Sequence, residues 1–246
     1  VSSVVTLLTD FGYRDSYVAE MKAVLLSMAP SARLVDISHE VPPGDVLAAQ
    51  YILARTWARF PSGSVHLAVV DPGVGTDRRA IAAGSGGHYF VGPDNGLFTP
   101  VLEGATVVEL PVPETAAPTF HGRDVFAPAA SRLASGEPLE RLGALVESPV
   151  RLSPPKPVRQ EGRVEGSVIY VDRFGTLVTN IGADLAQGAA AVEIRGIRVP
   201  MRRTFGDVAP GELVAFVGSG GTVEIAVRDG AAAAKLGAGI GEPVRC

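Results

Sequence analysis

Apolar residues along the chain follow two patterns, and the change between them divides it. Segments 4–8, 33–37 and 67–70 are short, β-branched and nearly unbroken, as buried parallel strands are. Between them Tyr17, Val18, Met21, Val24, Leu25 and Met28 recur at the spacing of one helical face, which Asp15 or Ser16 would cap and Pro30 would stop. A second helix is expected after the cap Asp45, with Val46, Ala49, Leu53 and Phe60 on its inner side. This β-α-β-α-β order predicts a mainly parallel sheet with right-handed crossovers. Further strands are expected at 81–83, 89–91 and 107–110, with a turn at 92–96. A helix should begin at Asp124, hold Pro128 in its first turn and end near Gly136.

Four prolines fall within 149–157, and beyond them the apolar period becomes two. Strands are expected at 164–171, 177–180, 192–194, 197–201, 213–217 and 223–227, with Arg195 and Gly196 as a hairpin turn and a short helix from Ala231. That density of short strands indicates a small β-barrel or sandwich. The predicted fold is therefore an α/β domain over 1–150, a Pro-rich linker over 151–157 and a small C-terminal β-barrel domain over 158–246.

Composition narrows the class. With 246 residues, 46% hydrophobic, the chain can bury a full core. A net charge of -4 argues against a nucleic-acid surface, since Arg202 and Arg203 form the one local basic cluster. A single cysteine, Cys246, excludes a disulfide framework and suits a reducing compartment. No apolar run approaches the ~20 residues of a membrane span, and residues 1–8 are too short for a signal-peptide core, so a soluble cytoplasmic protein is expected.

Candidate chemistry gathers where apolar strands break. The strand at 67–70 ends in Asp71, a Gly-rich turn and Arg78, an acid and a base seven residues apart that can face one cleft. Asp10 and the Asp94-Asn95 pair follow two other strands in the same manner. Each alone is as readily a turn or capping residue; three at sheet edges exceed what packing requires. His121, beside Gly122 and just before a helix, adds an imidazole where amide donors gather. Metal readings fare badly, because the four histidines are scattered and no cysteine pair exists. No dinucleotide fingerprint, phosphate loop or nucleophile elbow is present. In the barrel, Asp172 precedes Phe174 and Gly175, offering a carboxylate beside a flat ring, and a Gly-Ser-Gly-Gly turn spans 218–221. Both features also fit ordinary barrel corners.

Five segments recur in order: Leu-Thr-Asp-Phe-Gly at 8–12, Asp-Pro-Gly-Val-Gly at 71–75 with Arg78, Gly-Pro-Asp-Asn-Gly at 92–96, Phe-His-Gly-Arg-Asp at 120–124 and Asp-Arg-Phe-Gly at 172–175. Over nearly its whole length the chain resembles the S-adenosyl-L-methionine hydroxide adenosyltransferases, relatives of the fluorinase and chlorinase. The resemblance implies displacement of methionine from C5′ of S-adenosylmethionine (SAM) by water or hydroxide in an SN2 step, giving adenosine and L-methionine without a cofactor or metal. It also implies a homotrimer with active sites between one subunit's first domain and the neighbour's barrel. By this analogy Asp71, Arg78 and His121 form the catalytic triad, with Asp71 or His121 taking the proton of the attacking water. Asp10 would hold the ribose hydroxyls, Asp172 and Ser219 the methionine end, Phe205 would stack near adenine, and backbone around Val227 to Asp229 would read the adenine edge. Phe11, Asn95, Phe120, Gly122, Phe174 and Thr176 complete the expected substrate contacts. Thr176 departs from the Asn the family usually places after Phe-Gly, which puts adenine selectivity in question. Asp71 stands where the halogenases lack an acid, and a carboxylate repels a halide, so water is favoured over a SAM-dependent halogenation. A non-catalytic module that binds SAM or adenosine is the remaining alternative; it would need Asp10 and Asp172 but not the triad.

Overall fold

The computed structural model describes residues 3–160 and 162–246. The chain forms two compact units, Val1–Ser153 and Pro154–Cys246. The first is built on seven strands: β1 (Val4–Thr9), β2 (Arg33–Ser38), β3 (Val65–Val69), β4 (Ala80–Ser85), β5 (His88–Pro93), β6 (Thr106–Glu109) and β7 (Ala144–Leu145). Their order is β2-β1-β3-β5-β4-β6-β7. The β2, β1, β3 and β5 pairings are parallel, whereas β5, β4, β6 and β7 pair antiparallel. The sheet is thus half parallel rather than mainly so, because the two-residue turn at Gly86 and Gly87, both at positive φ, folds β5 back on β4.

Helices α1 (Tyr17–Met28), α2 (Val46–Thr56) and α3 (Ala127–Ala134) complete this unit. Val5 and Leu7 of β1, Leu67 and Val69 of β3, Met21 and Leu25 of α1 and Ala127, Ala130 and Leu133 of α3 share one buried core. The apolar face of α1 is narrower than expected: Val18, Met21 and Leu25 are buried, while Tyr17 and Met28 are exposed. Ser16 precedes α1 without a side-chain cap, its hydroxyl bonding Glu20 instead, whereas Asp45 caps α2 by accepting from Ala48 N. A 3-10 turn, Trp57–Arg59, ends α2, so Phe60 lies beyond it in extended backbone. Segment 150–152 is held to the first unit: Val150 N donates to Asp94 Oδ1, Leu152 N to Thr99 Oγ1, and Gln50 Nε2 to Leu152 O.

The second unit is antiparallel: β8 (Val158–Gln160), β9 (Arg163–Val171), β10 (Leu177–Gly182), β11 (Ala191–Ile194), β12 (Ile197–Pro200), β13 (Leu213–Val217), β14 (Thr222–Val227) and β15 (Pro243–Arg245), with the short helix α4 (Ala232–Leu236). Seven of these run β12-β11-β15-β9-β10-β14-β13, and β8 pairs with β9. The ends of this path meet through one bridge, Met201 to Ala215, making a nearly closed barrel around Val164, Leu177, Ile181, Val192, Val199, Ala215, Val223 and Ile225. Arg195 and Gly196 both adopt positive φ, the geometry of a two-residue hairpin turn. Among the described residues no helix is long and apolar enough to cross a membrane.

Candidate active site

Strands β1, β3 and β5 lie side by side and run the same way, so the turns after their C-terminal ends share one edge of the sheet. Thr9 pairs with Val69, which sets Asp10 next to the start of the Asp71 turn. Asn95, just after β5, donates to Val70 O at 2.8 Å and accepts from Leu97 N, bracing the strand end that presents Asp71. Its neighbour Asp94 is committed elsewhere. Arg79 Nε donates to Asp94 Oδ2 at 2.8 Å and Val150 N donates to Oδ1, so this acid anchors the loop over 148–150.

Two successive reverse turns bring Arg78 back onto Asp71. Val74 N donates to Asp71 O, then Thr76 N and Oγ1 both donate to Gly73 O. Gly75 has φ +79°, and a Cβ there would sit 3.0 Å from Pro118 O, so the turn requires glycine. Arg78 Nε donates to both oxygens of Asp71, at 2.9 and 3.1 Å, and Nη2 donates to Oδ2 as well. The same Nη2 lies 2.9 Å from His121 Nδ1. Both charged side chains are almost fully buried, Arg78 9% and Asp71 5% exposed.

His121 stands before a π-helical turn, Gly122–Phe126, that leads into α3; the expected helix start at Asp124 lies inside this turn. Such turns bond residue i to i+5 and bring positions five apart to one side. Here that spacing sets His121 and Phe126 around one guanidinium, with Arg78 5.3 Å from the Phe126 ring centroid. Burial, then the charge of Arg78, holds the His121 pKa below its ordinary value. Arg78 Nη1 is buried and has no hydrogen-bond partner among the described residues. A buried guanidinium donor left open in a site with a carboxylate and an imidazole suits a small polar guest such as water.

Phe120, next to His121 in the chain, meets Phe11 and Tyr17, the three ring centroids lying 5.2 to 6.0 Å apart. Gly122 fits beneath Phe120 and Met21, where a Cβ would be 3.1 Å from the Met21 sulfur. Asp10 Oδ2 accepts from Gly44 N at 2.8 Å, which ties the turn after β1 to the loop before α2.

The second unit has its own cleft of about 700 Å³. Its lining includes Asp172, Phe174, Thr176, Phe205 and the Val227 to Asp229 span, all anticipated, together with Glu224, which was not; of Arg228 only the backbone was expected there. Asp172 Oδ1 accepts from Phe174 N and Thr176 N, folding the corner so that Phe174 stands 76% exposed. Phe205 meets Phe216 edge-on at 4.7 Å. Asp229 adopts φ 59°, an uncommon conformation for a residue with a side chain. Ser219 lies in the turn between β13 and β14, outside the lining of this cleft.

Residues 5–143 match the N-terminal domain, and residues 166–245 the C-terminal domain, of the SAM hydroxide adenosyltransferases, and the chain belongs to that family. It is 47% identical over 255 residues, 98% of each chain, to the (R)-S-adenosyl-L-methionine hydrolase of Thermus thermophilus. A fluorinase of Actinopolyspora mzabensis is more distant, 28% identical over 91% of this chain and 90% of its own. The crystal structure of an uncharacterized conserved protein from Thermotoga maritima superposes with a TM-score of 0.91, at 39% identity over 98% of both chains.

Proposed function

We propose that this protein hydrolyses S-adenosyl-L-methionine, as its relatives named (R)-S-adenosyl-L-methionine hydrolase do, to adenosine and L-methionine. The observation that carries the reading is the open, buried Nη1 of Arg78 beside Asp71 and His121. The sulfonium is already an activated leaving group, so no acid, metal or cofactor has to expel it. The water oxygen bonds to C5′, the C5′–S bond breaks with its electron pair passing to sulfur, and one water proton passes to the protein. Asp71 is the favoured acceptor: His121 Nδ1 faces a donor, so its ring proton sits on Nε2, while Asp71 Oδ1 keeps a lone pair beyond the one Arg78 occupies. Arg78 orients the water and stabilises its hydroxide character.

In the same reading Asp10 takes the ribose hydroxyls, with Phe11, Asn95, Phe120 and Gly122 shaping that end. Asp172 attracts the ammonium of the methionine moiety, Ser219 closes on its carboxylate, and Phe174, Thr176, Phe205 and the Val227 to Asp229 backbone hold the adenine. The assembly is a homotrimer in which one subunit's Asp71 cluster works with the neighbour's Asp172 cleft. A single cysteine and a modest negative charge suit the cytoplasm.

Chromatography of the protein incubated with SAM in chloride buffer tests the reaction. Adenosine and methionine, lost with Asp71→Ala, support hydrolysis; chlorodeoxyadenosine would mean halogenation, and bound, unchanged SAM a binding module. For the assembly, at SAM concentrations well below KM an equal mixture of refolded Asp71→Ala and Asp172→Ala subunits should recover about a quarter of wild-type activity if sites are shared between subunits, and no more than the mean of the two variants measured alone if each subunit is self-sufficient.

A further inference from the structure

A second buried network lies one residue away from Asp10. Thr9, at the end of β1, is fully buried, and its Oγ1 lies 2.7 Å from His39 Nδ1. The same oxygen accepts from Phe11 N at 3.3 Å. His39 follows β2 and is itself buried; its backbone oxygen accepts from Gly12 N at 2.7 Å. Its Nε2 lies 3.2 Å from Asp36 Oδ1, off the line a hydrogen bond needs but close enough for electrostatic attraction. Asp36 also holds Lys22 Nζ at 2.7 Å and Tyr13 Oη at 3.2 Å, and the Tyr13 ring meets His39 edge-on at 5.1 Å.

These contacts fix the protons. A carboxylate accepts only, so the imidazole proton belongs on Nε2, facing Asp36. Nδ1 is then the acceptor for the Thr9 hydroxyl, which frees the Thr9 lone pairs for Phe11 N. The opposite tautomer would aim a lone pair at Asp36 and leave the Thr9 hydroxyl hydrogen without this partner. In this arrangement His39 grips the turn after β1 at two points, through Thr9 and through Gly12, and between them stand Asp10 and Phe11. Gly12, at φ +64°, makes the reversal possible.

We propose that His39, acting through Thr9, is a positioning residue that sets Asp10 and Phe11 for substrate binding, with Asp36 selecting its tautomer. The proposal rests on the hydrolase reading only for its substrate. It predicts an effect on binding and not on the chemical step, because neither side chain belongs to the Asp71 cluster.

The test compares Thr9→Val, which keeps the shape of the side chain without its hydroxyl, His39→Leu, and His39→Asn, whose amide oxygen can replace Nδ1 as acceptor. Thr9→Val and His39→Leu should raise KM for SAM at least about tenfold while kcat stays within about threefold, and His39→Asn should restore KM to near wild type. A matching fall in kcat, an unchanged KM, or His39→Asn behaving as His39→Leu would overturn the proposal. Two readouts need no substrate. Imidazole nitrogen shifts should show His39 protonated on Nε2 alone at neutral pH, and amide exchange at Phe11 and Gly12 should quicken at least about tenfold in whichever of Thr9→Val and His39→Leu folds. A reversed tautomer or unchanged exchange overturns the positioning role. If the wild-type protein does not cleave SAM, the hydrolase reading fails, while these two measurements still decide what His39 does.

Discussion

Arg78 Nη2 and His121 Nδ1 are 2.9 Å apart, and because a guanidinium only donates, His121 must turn a lone pair toward it. Protonating Nδ1 would set two donors against each other, which agrees with the lowered pKa that burial and the Arg78 charge impose. The neutral form therefore persists below the ordinary titration point. We predict that kcat for SAM cleavage shows no acid limb from His121 at or above about pH 6.5, the unperturbed value for an imidazole. A limb centred there, abolished by His121→Gln, would contradict this tautomer.

Replacing Arg78 by lysine keeps the charge but loses the planar fork. One ammonium cannot reproduce the paired bonds to Asp71 together with that to His121 and the stacking on Phe126. Arg78→Lys should lower kcat at least about 100-fold, equivalent to ~2.7 kcal/mol, with a smaller change in KM. Steady-state kinetics decide it: a loss of less than about tenfold in kcat would remove Arg78 from the centre of the mechanism.

The observed role of Asp172 in its corner can be separated from its proposed contact with the SAM ammonium. Its Oδ1 accepts the amides of Phe174 and Thr176, and asparagine retains that acceptor while discarding the charge. Asp172→Asn should therefore preserve the corner and weaken SAM binding about tenfold, as loss of a charge-assisted contact to the ammonium requires. Adenosine, which lacks the amino acid, should bind with unchanged affinity by calorimetry. Equal weakening of both ligands would show that Asp172 serves the corner alone.

Acid should destabilise the fold through its buried imidazoles. His66 forms a chain with Thr6 Oγ1 at 2.8 Å and His88 Nδ1 at 3.1 Å, and burial pushes its pKa down to about 3. The pKa values of His39 and His88 are lowered by the same cause. For a base with a depressed folded-state pKa, the unfolded chain takes the proton first. Stability is thus complete above the unfolded value and is lost as pH falls from it toward the folded one. Each such histidine should subtract about 1.4 kcal/mol per pH unit within its window below about pH 6.5. Urea denaturation at pH 7.5, 6 and 5 measures the slope, and a flat profile would refute it.

Much of this architecture is written in local pattern. The runs around Leu7, Leu67 and Val91 are apolar because both faces of those strands are covered, and the polar residues that end them mark the edge where Asp10 and Asp71 emerge. What stayed hidden lacks such a pattern. Strands β7 and β8 are short and exposed, so nothing in Leu145 or Val158 alternates with a core, and the return of β5 onto β4 is set by the Gly86-Gly87 turn, which the apolar pattern alone does not carry. Asp94 reads like a cleft acid until its partner Arg79, fifteen residues earlier, closes on it. Phe126 gives no sign of lying beside Arg78, since an i+5 relation to His121 belongs to a π turn and not to helical periodicity. Glu224 sits in a strand whose alternation, Val223 and Ile225 inward, sends it toward the cleft, so its place follows from the period of two that the sequence carries.

Among the described residues one bridge, from Met201 to Ala215, backed by the bond from Arg202 N to Ala215 O, joins the two ends of the barrel path. Other neighbours along the wall share at least two paired positions, and most share more; here one paired position and one further bond close it. Phe205 and Gly206 of the cleft lie just past this joint. The side of the cleft that carries Phe205 and Gly206 is therefore bordered by the seam with fewest backbone pairings, whereas Asp172 and Thr176 stand where β9 and β10 pair.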